Sequence, residues 1–407
     1  MKKDFLTLDD VDVKDKTVLL RVDINVPYDV TTKKVQDSDR LREHAKTIKE
    51  LSEKGAKVVI LAHQGRKGDP DFIHLNKHVE LLASHIGKEV EFVADIIGNR
   101  AVEKIKSLKS GDILLLDNVR FLDDETEEKT SEQHLNSQIV RNLITLADIF
   151  VNDAFSAAHR SHASIVGFTE ALPSYAGRVM EKELMSCEKA LNPERPNIFI
   201  LGGVKPSDCL EIMKHMFEEK SLDKALTCGT VGELFLLVKG HDLGTKKQFF
   251  EEKGFLNLVP EAEELLEKYE DKIELPVDVA IEENEQRKEI SVEELPTDSF
   301  LLDIGTKTAQ EYAQMIEGAK TIVMKGPAGI YEKQGFEMGS RKILEAIVNS
   351  KAFTLIGGGD TLLAIEKLGI DRKKFSYISL GGGSLITYLS GKPMPAVEAL
   401  KKAAQRK

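Results

Sequence analysis

Short apolar runs alternate with longer stretches of helical period along this chain, and that alternation constrains the fold more than any other feature. The runs are rich in β-branched residues or leucine and are apolar on both faces, which is typical of parallel strands covered by helices on both sides. They fall into two sets, at 17–23, 57–65, 89–95, 112–120 and 147–155, and at 197–203, 224–229, 273–278, 300–305, 321–326, 352–359 and 377–383. Two such sets predict an α/β fold with two doubly wound, Rossmann-like parallel-sheet lobes facing a central cleft.

The segment between the first two runs illustrates the helical pattern. Leu41, Ala45, Ile48 and Leu51 recur at helical spacing, and Gly55 follows them as a C-terminal stop. We therefore expect a helix here with its apolar face toward the sheet.

The join between the lobes is expected in 175–196, which has the pattern of a helix ended by Pro193 and Pro196. This predicts an N-terminal domain over 1–174, an interdomain helix or hinge, and a C-terminal domain over 197–391.

Composition excludes several classes of protein. The net charge of −11 over 407 residues disfavours general nucleic-acid binding, which requires a basic face. The N-terminus is interrupted by acids, unlike a signal peptide, and no apolar run is long enough for a membrane span. Cys187, Cys209 and Cys228 are odd in number and form no CxxC pair, so we expect neither a disulfide framework nor a zinc site, in a cytoplasmic protein.

Cations follow the strands of the first lobe. In open parallel sheets, ligands bind beyond the carboxyl ends of the strands. The residues at or near that rim are Arg21, Arg40, Arg66, Arg120 and Arg160, with His63, His159 and His162. Guanidinium groups bind carboxylate and phosphate through charge-assisted, bidentate hydrogen bonds, so the set predicts a site for a small molecule that carries both groups. For any single Arg, a surface ion pair remains the alternative.

Glycine loops follow the strands of the second lobe, beside Asp303 and Lys325. They are LGGVKPSD, GGGDTLLAIEKL and GGGSLITYL, each before a helical pattern. Helix N-termini attract anions, so Lys205 in the first loop would project over the cleft, and Asp360 in the second is placed for a magnesium ion that bridges phosphates. One such loop alone could be a plain turn, but three at the edge of one sheet predict a nucleotide site. GGGDT lacks the Lys that follows the glycines in a Walker A loop, and none of the three loops matches the GxGxxG pattern.

Two further features have competing interpretations. Glu332 could accept ribose hydroxyls, although on residue type alone it is a solvent-facing acid. His74 and His78 lie one helical turn apart, but no third ligand is in register, and we expect them to be surface histidines. An anion site rich in Arg and a nucleotide site rich in Gly together imply phosphoryl transfer across a closing cleft.

Nine motifs, taken in order, make the chain resemble the phosphoglycerate kinase family over nearly its whole length. They are RVDINVP (21–27), AHQGR (62–66), LLDNVRF (115–121), VNDAFSAAHRSH (151–162), LGGVK (201–205), LLDIGTKT (301–308), KGPAGIYE (325–332), GGGDT (357–361) and SLGGGS (379–384). The resemblance implies reversible, Mg²⁺-dependent phosphoryl transfer between ATP and 3-phosphoglycerate, giving ADP and 1,3-bisphosphoglycerate. It also implies domain closure and a C-terminal segment, 392–407, that packs back on the first domain.

The family's functional residues carry over position by position. By resemblance, the 3-phosphoglycerate site consists of Asp23, Ile24, Asn25, Arg40, His63, Gln64, Gly65, Arg66, Arg120 and Arg160. The nucleotide site by resemblance consists of Gly202, Gly203, Lys205, Glu332, Gly358, Gly359, Asp360 and Thr361. Arg40 and Lys205 are expected to be catalytic, and Asp360 to hold Mg²⁺.

Two departures from the family's pattern bear on the charge of the site. Family members often have a second Lys where Cys209 stands, and Asn where Lys325 stands, so Lys325 could replace part of the missing charge. These substitutions and the short chain resemble the archaeal branch of the family.

We expect a monomer without nucleic-acid or membrane partners. An exported two-lobed binding protein and a homologue that has lost catalysis are the alternatives.

Overall fold

The computed structural model describes residues 4–406. They divide into two compact units: unit 1 runs to Met185 and takes in the chain from Pro393 onward, and unit 2 is Ser186–Lys392. None of the helices in the described part of the chain has the length and apolar character that crossing a bilayer requires.

Unit 1 contains a six-stranded parallel sheet and a short two-stranded antiparallel sheet. Its strands are β1 (Thr17–Arg21), β2 (Tyr28–Asp29), β3 (Lys34–Val35), β4 (Lys57–Leu61), β5 (Glu91–Phe92), β6 (Ile113–Leu115), β7 (Ile149–Asn152) and β8 (Ser174–Ala176). Its helices include α1 (Asp39–Glu53), α2 (Val79–Ile86), α3 (Asn99–Ser107), α4 (Ser131–His134), α5 (Gln138–Leu143) and α6 (Ala163–Val166). Six strands lie in the order β5-β6-β4-β1-β7-β8, and neighbours are parallel, while β2 and β3 form a separate antiparallel pair.

Adjacent residues of the central strands enter different cores. Leu20 and Ile60 pack into one buried cluster, whereas Leu19 and Val59 pack into the other. The sheet of unit 1 is therefore covered on both faces, which confirms the interpretation of its apolar runs.

Helix α1 forms where its sequence pattern predicts. The side chain of Ser38 caps it by accepting from the backbone N–H of Leu41 at 3.4 Å. Leu41, Ala45, Ile48 and Leu51 are buried, and Gly55 has a φ of +81°, a conformation that glycine adopts without strain.

The segment at the division is only partly helical. β8 takes residues that the sequence pattern assigns to the helix, and α7 (Arg178–Leu191) is the helix itself, within which the two units divide. At the far end of the chain, α16 (Pro395–Gln405) packs in unit 1. The Ala396 N–H donates to the Ala158 carbonyl at 3.1 Å, and Arg406 pairs with Glu170 at 2.7 Å.

Unit 2 contains a second six-stranded parallel sheet and a separate three-stranded antiparallel sheet. Its strands are β9 (Asn197–Leu201), β10 (Lys224–Thr227), β11 (Ile273–Glu274), β12 (Asp278–Glu283), β13 (Gln286–Ser291), β14 (Leu301–Ile304), β15 (Thr321–Lys325), β16 (Phe353–Gly357) and β17 (Tyr377–Ile378). Its helices are α8 (Pro206–Glu218), α9 (Gly229–Val238), α10 (Lys246–Glu252), α11 (Val259–Tyr269), α12 (Thr306–Glu317), α13 (Met338–Asn349), α14 (Gly359–Lys367) and α15 (Gly383–Leu389). The parallel sheet has the order β11-β10-β9-β15-β16-β17.

One strand of unit 2 was assigned to the wrong sheet. The run at 300–305 forms β14, but β14 pairs antiparallel with β12 in a three-stranded sheet of order β13-β12-β14. The sequence pattern missed the β12–β13 hairpin because its strands are rich in charged residues. Its turn is formed by Asn284 and Glu285, whose φ angles of 52° and 61° are both left-handed.

Candidate functional site

The rim of unit 1 begins with a buried arginine. Arg21 is 1% exposed, and its guanidinium donates to the Ser164 hydroxyl at 2.8 Å and to His63 Nδ1 at 3.0 Å. Ser164 in turn donates from its backbone N–H and its hydroxyl to the buried carboxylate of Glu125. Burial, followed by the Arg21 charge, holds the pKa of His63 well below its usual range, so His63 is neutral and accepts from Arg21.

Asp23 anchors a second group of side chains at the end of β1. Its carboxylate accepts from Arg40 and from the Ser156 hydroxyl, and from the backbone N–H of Asn25 at 2.9 Å. Burial would raise the pKa of Asp23, but the opposing effects, of which the Arg40 charge is the largest and the Ser156 hydrogen bond is another, hold the pKa well below its usual range. Asp23 is therefore an ionised acid that orients Arg40.

An Arg-lined cavity of about 420 Å³ lies in unit 1. Arg66, Arg120, Arg160 and His162 line it. Burial and the neighbouring guanidinium groups lower the pKa of Arg120 to about 10, and burial together with Arg160 lowers the pKa of His162 to about 3. Guanidinium groups that repel one another around one cavity are stabilised by a bound anion.

Three of the residues predicted to bind the small substrate also hold the rim together. Gln64 is fully buried and makes two hydrogen bonds of 3.0 Å with the backbone of Val26. Ile24 is buried in the apolar core, and the Gly65 N–H donates to the side chain of Asn25 at 3.0 Å while its carbonyl accepts from Arg120 at 2.6 Å. These contacts position the cations around the cavity.

The glycine loops of unit 2 meet at the carboxyl ends of β9, β15 and β16. The Gly202 N–H donates to the Lys325 carbonyl at 2.8 Å, and the Gly326 N–H donates to the Thr361 hydroxyl at 2.9 Å. A Cβ on Gly326 would lie 2.2 Å from the Gly202 carbonyl oxygen, so only glycine allows the two loops to approach this closely.

Two helix N-termini follow these loops. Lys205 occupies the N-cap position of α8 and is exposed, and Gly358, with a φ of +94°, precedes α14. Asp360 is exposed in the first turn of α14. The free N–H groups and positive ends of such helices bind phosphate.

A cavity of about 390 Å³ opens beside these helix ends. Of the predicted nucleotide residues, Gly203, Glu332 and Asp360 line it. Sequence reasoning missed other walls of the cavity, which include Thr230, Glu233, Leu236, Lys246, Phe249, Pro276 and Phe300. They lie on α9, α10 and connecting segments, where no motif marks them. The third glycine loop, at 381–384, contributes no residue to this cavity.

The acids of unit 2 fit a magnesium ion held mainly by phosphates. Among residues 4–406, no three His, Cys, Asp or Glu side chains cluster as a metal cage. Mg²⁺ usually binds to one or two carboxylates together with substrate phosphates, and Asp360 supplies one exposed carboxylate at the anion-binding end of α14.

One expectation for a single residue is wrong. His78 is fully buried rather than on the surface, and its ring contacts the Gln64 side chain at 3.1 Å. Asp303 lies at the end of β14 and lines the cavity of unit 2, and its carboxylate accepts from Arg287 at 2.9 Å and from the Gly339 N–H at 2.8 Å.

Comparison with known proteins shows the family to which the chain belongs. The sequence model described as phosphoglycerate kinase matches residues 8–392. The chain belongs to the phosphoglycerate kinase family. Membership assigns its activity, reversible phosphoryl transfer between ATP and 3-phosphoglycerate that yields ADP and 1,3-bisphosphoglycerate.

Relatives and solved structures agree with this assignment. The phosphoglycerate kinase of Methanosarcina mazei is 44% identical over 404 residues, which is 98% of this chain and 96% of the relative. That of Methanobacterium bryantii is 42% identical over 408 residues, 100% of this chain and 99% of the relative. The crystal structure of the Pyrococcus horikoshii phosphoglycerate kinase is 36% identical in sequence, with a TM-score of 0.90. The match covers 99% of this chain and 100% of that protein. These relatives are archaeal, which confirms the predicted likeness to that branch.

Proposed function

We propose that 3-phosphoglycerate binds in the Arg-lined cavity of unit 1 and that ATP binds in the cavity of unit 2. The observation that carries the proposal is the chemical difference between the two cavities. Three arginines, Arg66, Arg120 and Arg160, line the first cavity together with Lys67, Asp123 and Glu128. The other cavity combines apolar walls with two helix N-termini. The first suits a small molecule with two anionic groups, and the second suits a base joined to phosphates.

The acceptor needs no general base. The carboxylate of 3-phosphoglycerate is already ionised at neutral pH and attacks the terminal phosphorus of ATP directly. A carboxylate oxygen–phosphorus bond forms, the bond from that phosphorus to the bridging oxygen of ADP breaks, and the electron pair leaves with ADP. Catalysis consists of positioning the two substrates and stabilising the charge that the transferred group carries.

Arg40 and Lys205 are the cations proposed to act on the reacting groups. Arg40 is oriented by Asp23. Lys205 is the N-cap residue of α8 and forms no ion pair with the described residues, 4–406. Gly358 and Gly359 are proposed to present backbone N–H groups to the phosphates. The N–H groups of Gly202 and Gly203 already donate to the carbonyls of Lys325 and Pro327, so these two glycines are proposed to contribute by letting the loops approach closely. Glu332 is proposed to accept from the ribose. Thr361 supports the loops, because its hydroxyl already bonds Gly326 and Gly357.

Asp360 is proposed to hold Mg²⁺ together with the nucleotide phosphates. The ion supplies charge neutralisation between phosphate oxygens when it is bound. Transfer requires the two substrates to meet, and the domain closure expected from the sequence stays a prediction. We infer a monomeric, cytoplasmic enzyme without nucleic-acid or membrane partners.

A coupled assay with ATP, Mg²⁺ and 3-phosphoglycerate tests the proposal. Arg40→Ala and Lys205→Ala should each lower kcat by about 100-fold or more, since each removes a cation from the transferred group. Arg42→Ala and Lys214→Ala are matched controls on the same two helices, and both should retain activity. Wild-type protein that binds both substrates without turnover would identify a homologue that has lost catalysis.

A further inference from the structure

Helix α1 contacts Asp23 at two points. Arg40, in the first turn of the helix, donates to the Asp23 carboxylate. His44 lies one turn further along, and its Nε2 accepts from the Asp23 backbone N–H at 3.3 Å. Because residues four apart lie on the same face of a helix, one face of α1 holds both the side chain and the main chain of Asp23.

The hydrogen bonds of His44 define its tautomer. A backbone N–H can only donate, so Nε2 is the unprotonated nitrogen of the ring. The ring proton is therefore on Nδ1, which faces Asp153 Oδ2 at 3.0 Å. His44 and Asp153 are 2% and 0% exposed, so both hydrogen bonds form inside the protein and hold the ring in one orientation.

Asp153 is itself held by the start of helix α7. Its Oδ1 atom accepts from two backbone N–H groups of the first turn, those of Val179 at 2.8 Å and Met180 at 3.2 Å. N–H groups at this end of a helix have no partner within the helix, and the helix dipole favours an acid beside them. A Cβ on Gly177, the residue before α7, would lie 2.2 Å from Oδ1, so only glycine admits the carboxylate here.

A continuous chain of hydrogen bonds therefore runs from α7 through Asp153 and His44 to Asp23. An apolar side chain in place of His44 would fill the core as Leu41 and Ala45 do on the same helix, but it would leave the Asp23 N–H without its acceptor. A buried polar network whose members are all satisfied specifies one arrangement of the main chain.

We propose that His44 is a positioning residue for phosphoryl transfer: held in the Nδ1–H tautomer by Asp153, it fixes the main chain of Asp23 and, through Asp23, the direction of the Arg40 guanidinium. This inference rests on the proposed role of Arg40 and adds the residues that orient it. A catalytic cation displaced by about 1 Å costs on the order of 100-fold in rate, so the effect belongs in kcat. The KM for ATP should change by less than about twofold, because the proposed nucleotide site lies in unit 2.

The first test observes the tautomer in the wild-type protein. Heteronuclear NMR of isotope-labelled protein distinguishes protonated from unprotonated ring nitrogens, and the signals of His44 are those that His44→Gln lacks. Nδ1 should carry the proton and Nε2 should not. A proton on Nε2, in either the neutral or the doubly protonated ring, overturns the inference, because the Asp23 N–H would then face a second donor.

Two variants of His44 separate positioning from folding. His44→Gln places an amide oxygen near the site of Nε2 and can still accept from Asp23, whereas His44→Asn reaches only the site of Nδ1 and can still donate to Asp153. Each variant keeps one of the two hydrogen bonds, so chemical denaturation should give similar stabilities. His44→Asn should lower kcat by about 10- to 100-fold, and His44→Gln should stay within about threefold of wild type. Equal losses of kcat in the two variants contradict the inference.

Asp153→Asn tests the other end of the chain. With the amide oxygen on α7, the amide NH₂ faces His44, so Nδ1 must accept and the ring proton moves to Nε2, against the Asp23 N–H. The NMR signature should reverse, and kcat should fall by about 10- to 100-fold. A reversed tautomer with wild-type kcat refutes the role.

Ser52→Ala is the matched control on the same helix. Ser52 is buried in the last turn of α1 and donates to the Gly111 carbonyl at 2.6 Å, so its loss removes a buried hydrogen bond from α1 and should leave kcat unchanged.

A double variant checks the route through Arg40. Adding His44→Asn to Arg40→Ala should lower kcat by less than about twofold more, since His44 acts through the missing guanidinium. The full loss of the single His44→Asn variant on top of Arg40→Ala would show a different route. Wild-type turnover and the loss in Arg40→Ala alone test the proposed function, so the two can fail separately.

Discussion

The ammonium nitrogen of Lys325 lies 3.4 Å from the Asp208 carboxylate and 3.7 Å from the Cys209 sulfur. Lys325 ends β15, and its side chain reaches the first turn of α8, where burial raises the pKa of the Cys209 thiol to about 11. The thiol is therefore neutral at physiological pH. A Cβ on Gly358 would lie 4.0 Å from Lys325 Cγ, so the aliphatic part of this side chain passes the start of α14 and its ammonium lies at the first turn of α8.

Lys325→Met should lower kcat at saturating substrates by about 100-fold, because it removes a fixed cation from the phosphate end of the nucleotide site. Steady-state kinetics measures this, with Asp208→Asn as the control that removes the partner but keeps the ammonium. The combination of Lys325→Asn and Cys209→Lys moves the cation onto α8 and should recover part of the rate. A kcat for Lys325→Met within twofold of wild type would refute the role.

Arg40→Ala should destabilise the fold at neutral pH by roughly 2–4 kcal/mol, because it leaves the buried Asp23 carboxylate without its cation. Arg40 holds the pKa of Asp23 below its usual range, so the stabilisation is present at neutral pH and is lost as pH falls through the acid range. Chemical denaturation at several pH values measures the difference. It should be large near neutrality and small at the acid end, and a difference independent of pH contradicts the mechanism.

Glu125→Gln should change how stability depends on pH. Burial, opposed by Arg21, raises the pKa of Glu125 from 4.5 to about 7. Between those values the folded state holds the proton more tightly than the unfolded state, so wild-type stability falls as pH rises through this window. Glu125→Gln removes that fall, which amounts to about 3 kcal/mol at most. Parallel denaturation curves for the two proteins from pH 4 to 8 check it; curves that stay a constant distance apart count against it.

Asp360→Asn should weaken the contribution of magnesium to nucleotide binding by roughly 10-fold. The reason is that Asp360 is the exposed acid in the first turn of α14, where the phosphates are expected. Calorimetric titration with ADP, with Mg²⁺ and with a chelator, separates the two effects. Affinity for metal-free ADP should not fall, and an equal loss with and without Mg²⁺ would show that Asp360 does not hold the ion.

Local patterns were sufficient for much of the fold. The helical spacing of Leu41, Ala45 and Ile48 predicted α1, because burial of one helix face depends on neighbouring positions. The run at 300–305 forms the predicted strand but lies in a different sheet from the predicted one, since a strand of four buried residues fits a parallel or an antiparallel partner. The missing information was the charged β12–β13 hairpin.

The residues that line the two cavities were also predictable only in part. Motifs located the cations that now line the cavity of unit 1, because Arg residues at strand ends are drawn to one edge by the parallel sheet. Phe249, Phe300 and Glu233 carry no local signal, and nothing in the sequence order brings them to one cavity. Gln64 is predicted to bind substrate by resemblance, and only the packed structure shows that its side chain also contacts the Val26 backbone, Asp71 and His78.

By itself, the sequence determined the two α/β lobes, the glycine loops and the membership of a kinase family, because these depend on periodicity and on short motifs. Only the tertiary structure decided which side chains share an environment. Lys325 and Cys209 are 116 residues apart, yet packing of β15 against α8 brings the ammonium to the thiol. Contacts between distant segments are set by how the sheets and helices pack, and no local pattern encodes them.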